Sequence, residues 1–421
     1  MCAFDWRAYL DGLVNYEAHR AADYARERPS LEPYRKFLVT LELPSPDTTY
    51  VIVGGSKGKG TTAAYLHAMI IARGESCGLY TSPSFFDVSE RIRIGISDAD
   101  STLMERALQT VADAASKTKY RLSWFEAMTA AAFEAFKLSA CRYAVLEVGL
   151  GGRLDATNAA DCPVALFGPI QLEHTTVLGD TLSLIAEEKA AIMRRGGRAF
   201  SLPQQPDAEA VLRKHARKIG CDYSIVGPSE SSGSGRAEVD SGRFEFDYAS
   251  DVPVLKDDNL LAVSAYAALF GKAPPKTYAG FFRMPGRYQL VSSLPGPVIL
   301  DVAHTSPSLT ALLDYCTNKW GTFRLLFACL SDKDIEGMLR RVSDCRAISE
   351  VTFADLSDKR AVPGGQFRAR FSALSGRPCS VLRPDDFRTL ATRNASPLLV
   401  TGSFRLIAEF ARRVDCAVAD A

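Results

Sequence analysis

The run "VIVGGSKGKGTTAAYLHAMI", residues 51 to 70, sets Gly54, Gly55, Gly58 and Gly60, with Lys57 and Lys59, between a β-branched apolar run and small apolar residues at helical spacing. That arrangement suits a phosphate. Glycines let successive backbone N–H groups turn inward around anionic oxygens, and a following helix N-terminus adds a positive dipole. Lys59 can then reach the β- and γ-phosphates, and the Thr61 hydroxyl can hold Mg²⁺. The alternative, a flexible glycine turn, leaves Lys59 and Thr61 unexplained. Gly55, Ser56, Lys57, Gly58, Lys59, Gly60 and Thr61 are therefore candidate nucleotide contacts. One letter departs from the usual spelling: Gly60 stands between the lysine and the hydroxyl.

Other reactive residues lie further on. Glu147 is the only acid in the apolar run "YAVLE". At the carboxyl edge of a sheet it would face a nucleotide crevice; otherwise it is a solvated strand end. Gly149, Gly151 and Gly152 permit a tight loop that Arg153 and Asp155 can brace, as loop architecture first and ligand contact second. His174 is one of five histidines and follows Glu173 after a strand, which fits either a structural or a metal-facing residue. Lys189, in "AEEKAAIM", reads by pattern as part of a charged, exposed helical face.

These residues need elements to position them. Strand-like runs "TYVIVGG", "SCGLYTS" and "YAVLEVGL" alternate with helical patterns near 61–73 and 123–137, and "PVALFGPI" and "RAFSLP" continue the series. Such alternation predicts a parallel sheet with crossover helices. The polar, glycine- and serine-rich stretch 227–251 reads as a surface hairpin or small β excursion. Residues 3–36 suggest one or two helices. After the turn Leu294–Pro297 a second βα series opens with "VILDVAH", so the expected domains are 1–294 and 298–421, with Asp301 ending the first strand of the second.

Composition narrows the function classes. A chain of 421 residues exceeds one compact core and favours two domains. With 50 basic and 49 acidic residues there is no general pull toward nucleic acid or membrane, so an anionic ligand must be caught locally. Ten scattered cysteines without a CxxC pair argue against a zinc ribbon or disulfide framework, and for thiols in a reducing compartment. Asp5 and Arg7 interrupt the place where a signal peptide needs an apolar run, and no stretch reaches the roughly 18 apolar residues of a membrane span. The expected location is the cytoplasm.

The inserted Gly60 makes the loop resemble that of the Mur ligase superfamily, and other segments resemble its folylpolyglutamate synthase and dihydrofolate synthase branch. These are "LYTSPSFFDVSERIRI", "LEVGLGGRLDATN", "LEHTTVLGDTLSLIAEEKAAIM", "MPGRYQLV", "ILDVAHTSP", "LSDKDIEGML" and "LLVTGSFRLIAE", in the family's order over about residues 35 to 410. The resemblance implies an α/β Mur-ligase-like fold. A P-loop ATPase domain with a mainly parallel sheet would carry the folate site, and a smaller Rossmann-like C-terminal domain would hold glutamate, with the nucleotide in the cleft between them.

The implied activity is ATP-dependent addition of L-glutamate to a reduced folate through an acyl phosphate. By the same resemblance Thr61, Ser82, Glu147 and His174 hold two Mg²⁺ ions, and a monovalent cation such as K⁺ takes part. Lys189, in carbamylated form, supports the metal site; Lys59, Lys189 and His174 form the catalytic set. Asn259, Arg287, Asp301 and His304 would hold adenosine and phosphates, and Ser84, Phe125, Arg153 and Asp155 the folate. Two departures stand out: the family's "DH" is Glu173-His174 here, and the histidine common after "TSP" is Ser84. Some members that only polyglutamate also lack that histidine, so polyglutamation is favoured over action on dihydropteroate. A cell-wall Mur ligase shares the loop but not "GLGGRLDATN". A degenerate nucleotide-binding homologue would have lost Lys59, Glu147 or His174, and is kept open by Ser84, Glu173 and Thr305. A monomer is expected.

Overall fold

Eight strands align in one sheet because six of the apolar runs are too short to bury themselves alone and pair in parallel. The computed structural model describes residues 4–16, 27, 29–227, 234–239, 242–250, 252–282, 284–291, 293–393 and 396–415. The first unit spans Met1–Phe282. Its strands are β1 (Thr49–Gly54), β2 (Cys77–Tyr80), β3 (Ile92–Ile94), β4 (Ser97–Asp98), β5 (Tyr143–Glu147), β6 (Val164–Phe167), β7 (Arg198–Ser201) and β8 (Asp222–Ile225). Their order is β4-β3-β2-β5-β1-β6-β7-β8, with β3 and β4 antiparallel and the rest parallel. Strand β1 is central and buried on both faces, which is why it reads as an unbroken apolar run.

The crossover helices owe their positions to local chemistry. Ser123 and Glu126 form a reciprocal capping box that starts the helix Trp124–Leu138. Asp100 caps the helix Ser101–Thr118, an element the strand–helix alternation does not mark. The helix Lys59–Ala72 is buried almost throughout, so it carries Ala, Gly and Thr where a surface helix would carry charges. It begins at Lys59, not near residue 61: Gly58, at φ +76°, makes the left-handed turn that starts it, and Gly60 falls inside the first turn. The ring of Phe282 stacks on Tyr65 of this helix at 4.0 Å between centroids.

The expected β excursion is an antiparallel pair, β9 (Ser234–Val239) with β10 (Gly242–Asp247); residues 228–233, 240, 241 and 251 of that stretch lie outside the described residues. Of the N-terminal helices, Trp6–Asp11 and Glu32–Val39 are present, and residues 17–26 are likewise outside.

The second unit spans Arg283–Ala421, so the division falls before the Leu294–Pro297 turn expected to mark it. That turn joins β11 (Gln289–Val291) antiparallel to β12 (Val298–Asp301), because "QLV" has an exposed middle residue and pairs as an edge. Asp301 therefore ends the second strand of this unit, not the first. The remaining strands are β13 (Phe323–Phe327), β14 (Ile348–Ala354), β15 (Cys379–Leu382) and β16 (Leu398–Thr401), in the order β11-β12-β16-β13-β14-β15. Beyond β11 all pairs are parallel. Phe353 and Phe367 stack at the centre of its core, with Phe327 and Phe371 edge-on.

Candidate active site

Strand register places the reactive residues of the first unit in a row. Val53 pairs with Glu147, Gly54 with Phe167, and Tyr80 with Leu146, so β2, β5, β1 and β6 end together. Ser82 follows β2, Glu147 closes β5, the glycine loop follows β1, and residues 168–174 follow β6. This is the carboxyl edge of a parallel sheet, where the strand order turns back on itself and α/β proteins bind ligands.

The loop is fixed by close backbone approach. At Gly55, φ is +124°, and an added Cβ would lie 2.9 Å from the Gly168 Cα. The Ser56 N–H donates to Pro169 O at 2.9 Å, while its hydroxyl accepts from the Gln171 N–H at 3.0 Å. Residues 168–171 thus form the loop's outer rail. Both Lys59 Nζ and Lys189 Nζ donate to the Gly55 carbonyl, at 3.2 and 2.9 Å.

Lys189 is buried at 2% exposure and pairs with Glu173 Oε1 at 2.9 Å. The expected charged, exposed face is corrected here: the helix Leu182–Ala190 turns Lys189 inward beneath the loop. Burial lowers the Lys189 pKa, Glu173 opposes that, and Lys59 adds to it. Burial alone would raise the Glu173 carboxyl, but Lys189, Lys59 and a Ser56 hydroxyl hydrogen bond hold it well below the ordinary carboxylate range.

Glu147 is 5% exposed, and its Oε2 accepts the Ser82 N–H at 2.9 Å, which brings that carboxylate beside the Ser82 segment. Thr61 is buried in the first helical turn. Hydroxyl and carboxylate oxygens are the donors Mg²⁺ prefers, so Thr61, Ser82 and Glu147 fit one such ion. A second ion fits less readily. His174 is exposed, in a left-handed conformation at φ +46° as N-cap of the short helix Thr175–Leu178, and Lys189 as an ammonium cannot ligate. Among the described residues no group of three or more His, Cys, Asp or Glu forms a metal cluster.

The expected folate contacts are dispersed in role. Asp155 Oδ2 accepts from Leu150 N–H and Oδ1 from Thr157 N–H and Oγ1, so its oxygens serve the loop. Arg153 pairs with Glu188 at 2.9 Å. Phe125 packs against Gly149, where a Cβ would meet its ring, and tilts against Tyr80 at 5.9 Å. Ser84 is half-buried beside Phe85 and Phe86, whose N–H groups both bind Glu90.

Asn259 is fully buried on the helix Pro253–Phe270; its Oδ1 faces the Tyr278 hydroxyl at 2.9 Å while Nδ2 has no partner. Its neighbour Asp258, missed as a functional residue from sequence, sits where a Gly58 Cβ would be and thus against the loop. An acid in the otherwise apolar run "NLLAVSAYAALF" and its lead-in was the only signal. In the second unit Asp301 is buried, its oxygens accepting the Tyr288 and Ala303 N–H groups at 2.9 and 2.7 Å. Burial raises its pKa against the pull of Arg287. Arg287 lies over the Phe404 ring, and His304 Nδ1 is 2.9 Å from Val302 O.

A glycine loop at the carboxyl edge of a central parallel strand, with a buried lysine and a carboxylate beside it, defines a P-loop nucleotide-binding α/β protein of the Mur-ligase-like fold. No family model matches the chain. A dihydrofolate synthase/folylpolyglutamate synthase of Buchnera aphidicola is 30% identical over 75% of this chain and 76% of its own length. The chain belongs to the dihydrofolate synthase/folylpolyglutamate synthase family. A probable bifunctional folylpolyglutamate synthase/dihydropteroate synthase of Halobacterium salinarum is 31% identical over 73% of this chain, which spans 40% of that relative's length. Among solved structures, E. coli FolC in complex with DHPP and ADP has 26% identity and TM-score 0.79, covering 97% of both chains. A bifunctional enzyme of the family with Mn, AMPPNP and L-glutamate bound has 26% identity and TM-score 0.80, again covering 97% of both.

Proposed function

We propose that this chain ligates L-glutamate to the carboxylate of a reduced folate at the expense of ATP. The carrying observation is the single row of Ser82, Glu147, the Gly55–Thr61 loop and Glu173–Lys189 along one sheet edge, in a member of this family. An unactivated carboxylate repels an amine and lacks a leaving group. ATP would phosphorylate it, the α-amine of glutamate would attack the acyl phosphate, and phosphate would leave. Loop N–H groups and Lys59 would bind the phosphates and offset charge on the transferring group. Magnesium, held by Thr61, Ser82 and Glu147, would supply further charge neutralisation when bound.

Finer points of the same reading follow. Asn259, Arg287, Asp301 and His304 are proposed nucleotide contacts, and His174 a ligand of a second Mg²⁺, with K⁺ as accessory cation. The carbamylated form of Lys189 that the resemblance implies belongs to the same reading, its nitrogen buried beneath the loop between Glu173 and the Gly55 carbonyl. The eight described cysteines are all free, which supports a reducing, cytoplasmic location, and the family resemblance supports a monomer. No described helix is long and apolar enough to cross a membrane.

The deciding experiment gives purified protein ATP, Mg²⁺ and labelled glutamate with either tetrahydrofolate or dihydropteroate. Incorporation into tetrahydrofolate alone is expected. Incorporation into both would make the enzyme bifunctional, and into neither would leave a nucleotide-binding homologue.

A further inference from the structure

We infer that Tyr278 is a positioning residue for the nucleotide: its hydroxyl holds one end of the Asn259 amide, so that Nδ2 is offered to an acceptor atom of the ligand. The inference rests on the reading of Asn259 as a nucleotide contact and adds the residue that fixes its amide.

Asn259 is fully buried on the helix Pro253–Phe270, which packs against the helix Lys59–Ala72. One residue earlier, Asp258 lies against Gly58, so this turn of the helix backs the phosphate loop. A buried amide normally bonds through both its oxygen and its nitrogen, because an unmade bond there costs free energy. Here Oδ1 meets the Tyr278 hydroxyl at 2.9 Å, while Nδ2 has no partner. A donor left open beside a phosphate loop is one that a ligand acceptor can complete.

Tyr278 is suited to hold the other end. It is 2% exposed, in the short helical turn Lys276–Phe281, and the next residue, Phe282, stacks on Tyr65 of the loop's own helix. Its hydroxyl also lies 2.9 Å from the Asp247 carbonyl at the end of β10 and contacts the Ala249 backbone. The phenol oxygen is therefore fixed from two elements besides its own. Burial pushes its pKa up to about 12, against the hydrogen bonds with Asn259 and Ala249, so the hydroxyl keeps its proton at neutral pH.

The two ends of an amide have nearly the same shape, so partners alone decide which one faces where. The Tyr278 hydrogen has two oxygens in reach, Asp247 O and Asn259 Oδ1. A nucleotide acceptor on Nδ2 keeps Oδ1 on Tyr278. Without the hydroxyl the amide is anchored at neither end before the ligand arrives, and ordering it is charged against binding.

The test titrates Mg·ADP by calorimetry into wild type, Tyr278→Phe, Asn259→Ala and Tyr278→Phe/Asn259→Ala. Phenylalanine keeps the ring and removes only the hydroxyl. Tyr278→Phe should bind about fivefold more weakly and Asn259→Ala about tenfold, the scale of one hydrogen bond. The double variant should bind no more weakly than Asn259→Ala, because Tyr278 acts through that amide. In steady state Tyr278→Phe should raise the KM for ATP and leave kcat and the other KM values unchanged, whereas a loosened fold would move them together. Weakened binding in Asn259→Ala with none in Tyr278→Phe would overturn the positioning role and leave the nucleotide reading standing. Losses that multiply in the double variant would overturn it as well. Wild-type affinity in Asn259→Ala would remove Asn259 as a contact and the inference with it, and a wild type that fails to bind Mg·ADP would remove the nucleotide reading itself. Should Tyr278→Phe fail to fold, a structure of wild type with Mg·ADP decides: the hydroxyl on Oδ1 and the nucleotide on Nδ2 are expected, and a Tyr278 out of hydrogen-bond reach of Asn259 would overturn the proposal.

Discussion

Lys59 and Lys189, 130 positions apart in the chain, donate to the same oxygen, the carbonyl of Gly55. One comes from the first turn of the helix after β1 and the other from the helix after the β6 segment. This convergence separates their roles: Lys189 has Glu173 as a second partner, whereas Lys59 donates to the carbonyl that Lys189 also serves.

Lys59→Ala should therefore abolish ligation without unfolding the protein. Loss of a preorganised charge at a transferring phosphoryl group costs on the order of 10²–10³ in rate. Phosphate release with ATP, folate and glutamate should fall by that factor, while the melting temperature stays close to wild type. Turnover within a few-fold of wild type would remove Lys59 from the chemistry.

Glu147→Gln should raise the Mg²⁺ concentration for half-maximal activity by about tenfold or more. The amide oxygen can still accept the Ser82 N–H, so the strand end keeps its geometry and the charge alone is removed. A wild-type Mg²⁺ titration would show that Glu147 serves only to hold the loop after β2.

The strands and the phosphate loop were legible because both are local patterns. An apolar run between glycine turns declares a buried strand, and glycines with a lysine and a hydroxyl declare a phosphate turn. Gly60 shows the limit of local reading. As a poor helix former it pointed to a start near residue 61, yet the first turn needs no intrahelical N–H partner and accepts it. Lys189 shows the larger limit: its burial depends on which face of the helix Leu182–Ala190 lies under the loop. Glu173 was legible only as a departure from the family's spelling, because its partner is brought to it by the return of the chain after β6. The division before Arg283, ahead of the expected turn, has the same origin, since the Pro-Gly turn at 295–296 serves a hairpin as well as it would a linker.

Gly58→Ala should disturb both fold and site. The residue has φ +76°, and an added Cβ would meet the Asp258 carboxylate, itself 2% exposed. The left-handed backbone alone costs about 1–2 kcal/mol for an alanine. A melting temperature lowered by several degrees and weakened nucleotide binding are expected. Gly74→Ala is the control: φ is +88° but a Cβ meets nothing within 4 Å, so it should lose stability without losing nucleotide affinity. Equal nucleotide affinity for the two variants would mean that Asp258 does not shape the loop.

Acid sensitivity should come in part from His67, buried in the helix Lys59–Ala72 with Nε2 unpartnered. Burial lowers its pKa from 6.5 to about 3, with Arg93 adding to the shift and a hydrogen bond to the Cys77 backbone opposing it. Between those values the unfolded chain binds a proton that the folded chain does not. The stabilisation is thus complete above pH 6.5 and is lost as pH falls toward 3, at up to about 1.4 kcal/mol per pH unit. Denaturant melts of wild type and His67→Gln at pH 7.5, 6 and 5 measure the difference. The gap between the two proteins should shift in favour of the variant as pH falls, whatever the variant's stability at pH 7.5. Parallel curves would place the acid sensitivity in other groups and mean that His67 takes up its proton alike in the folded and unfolded states.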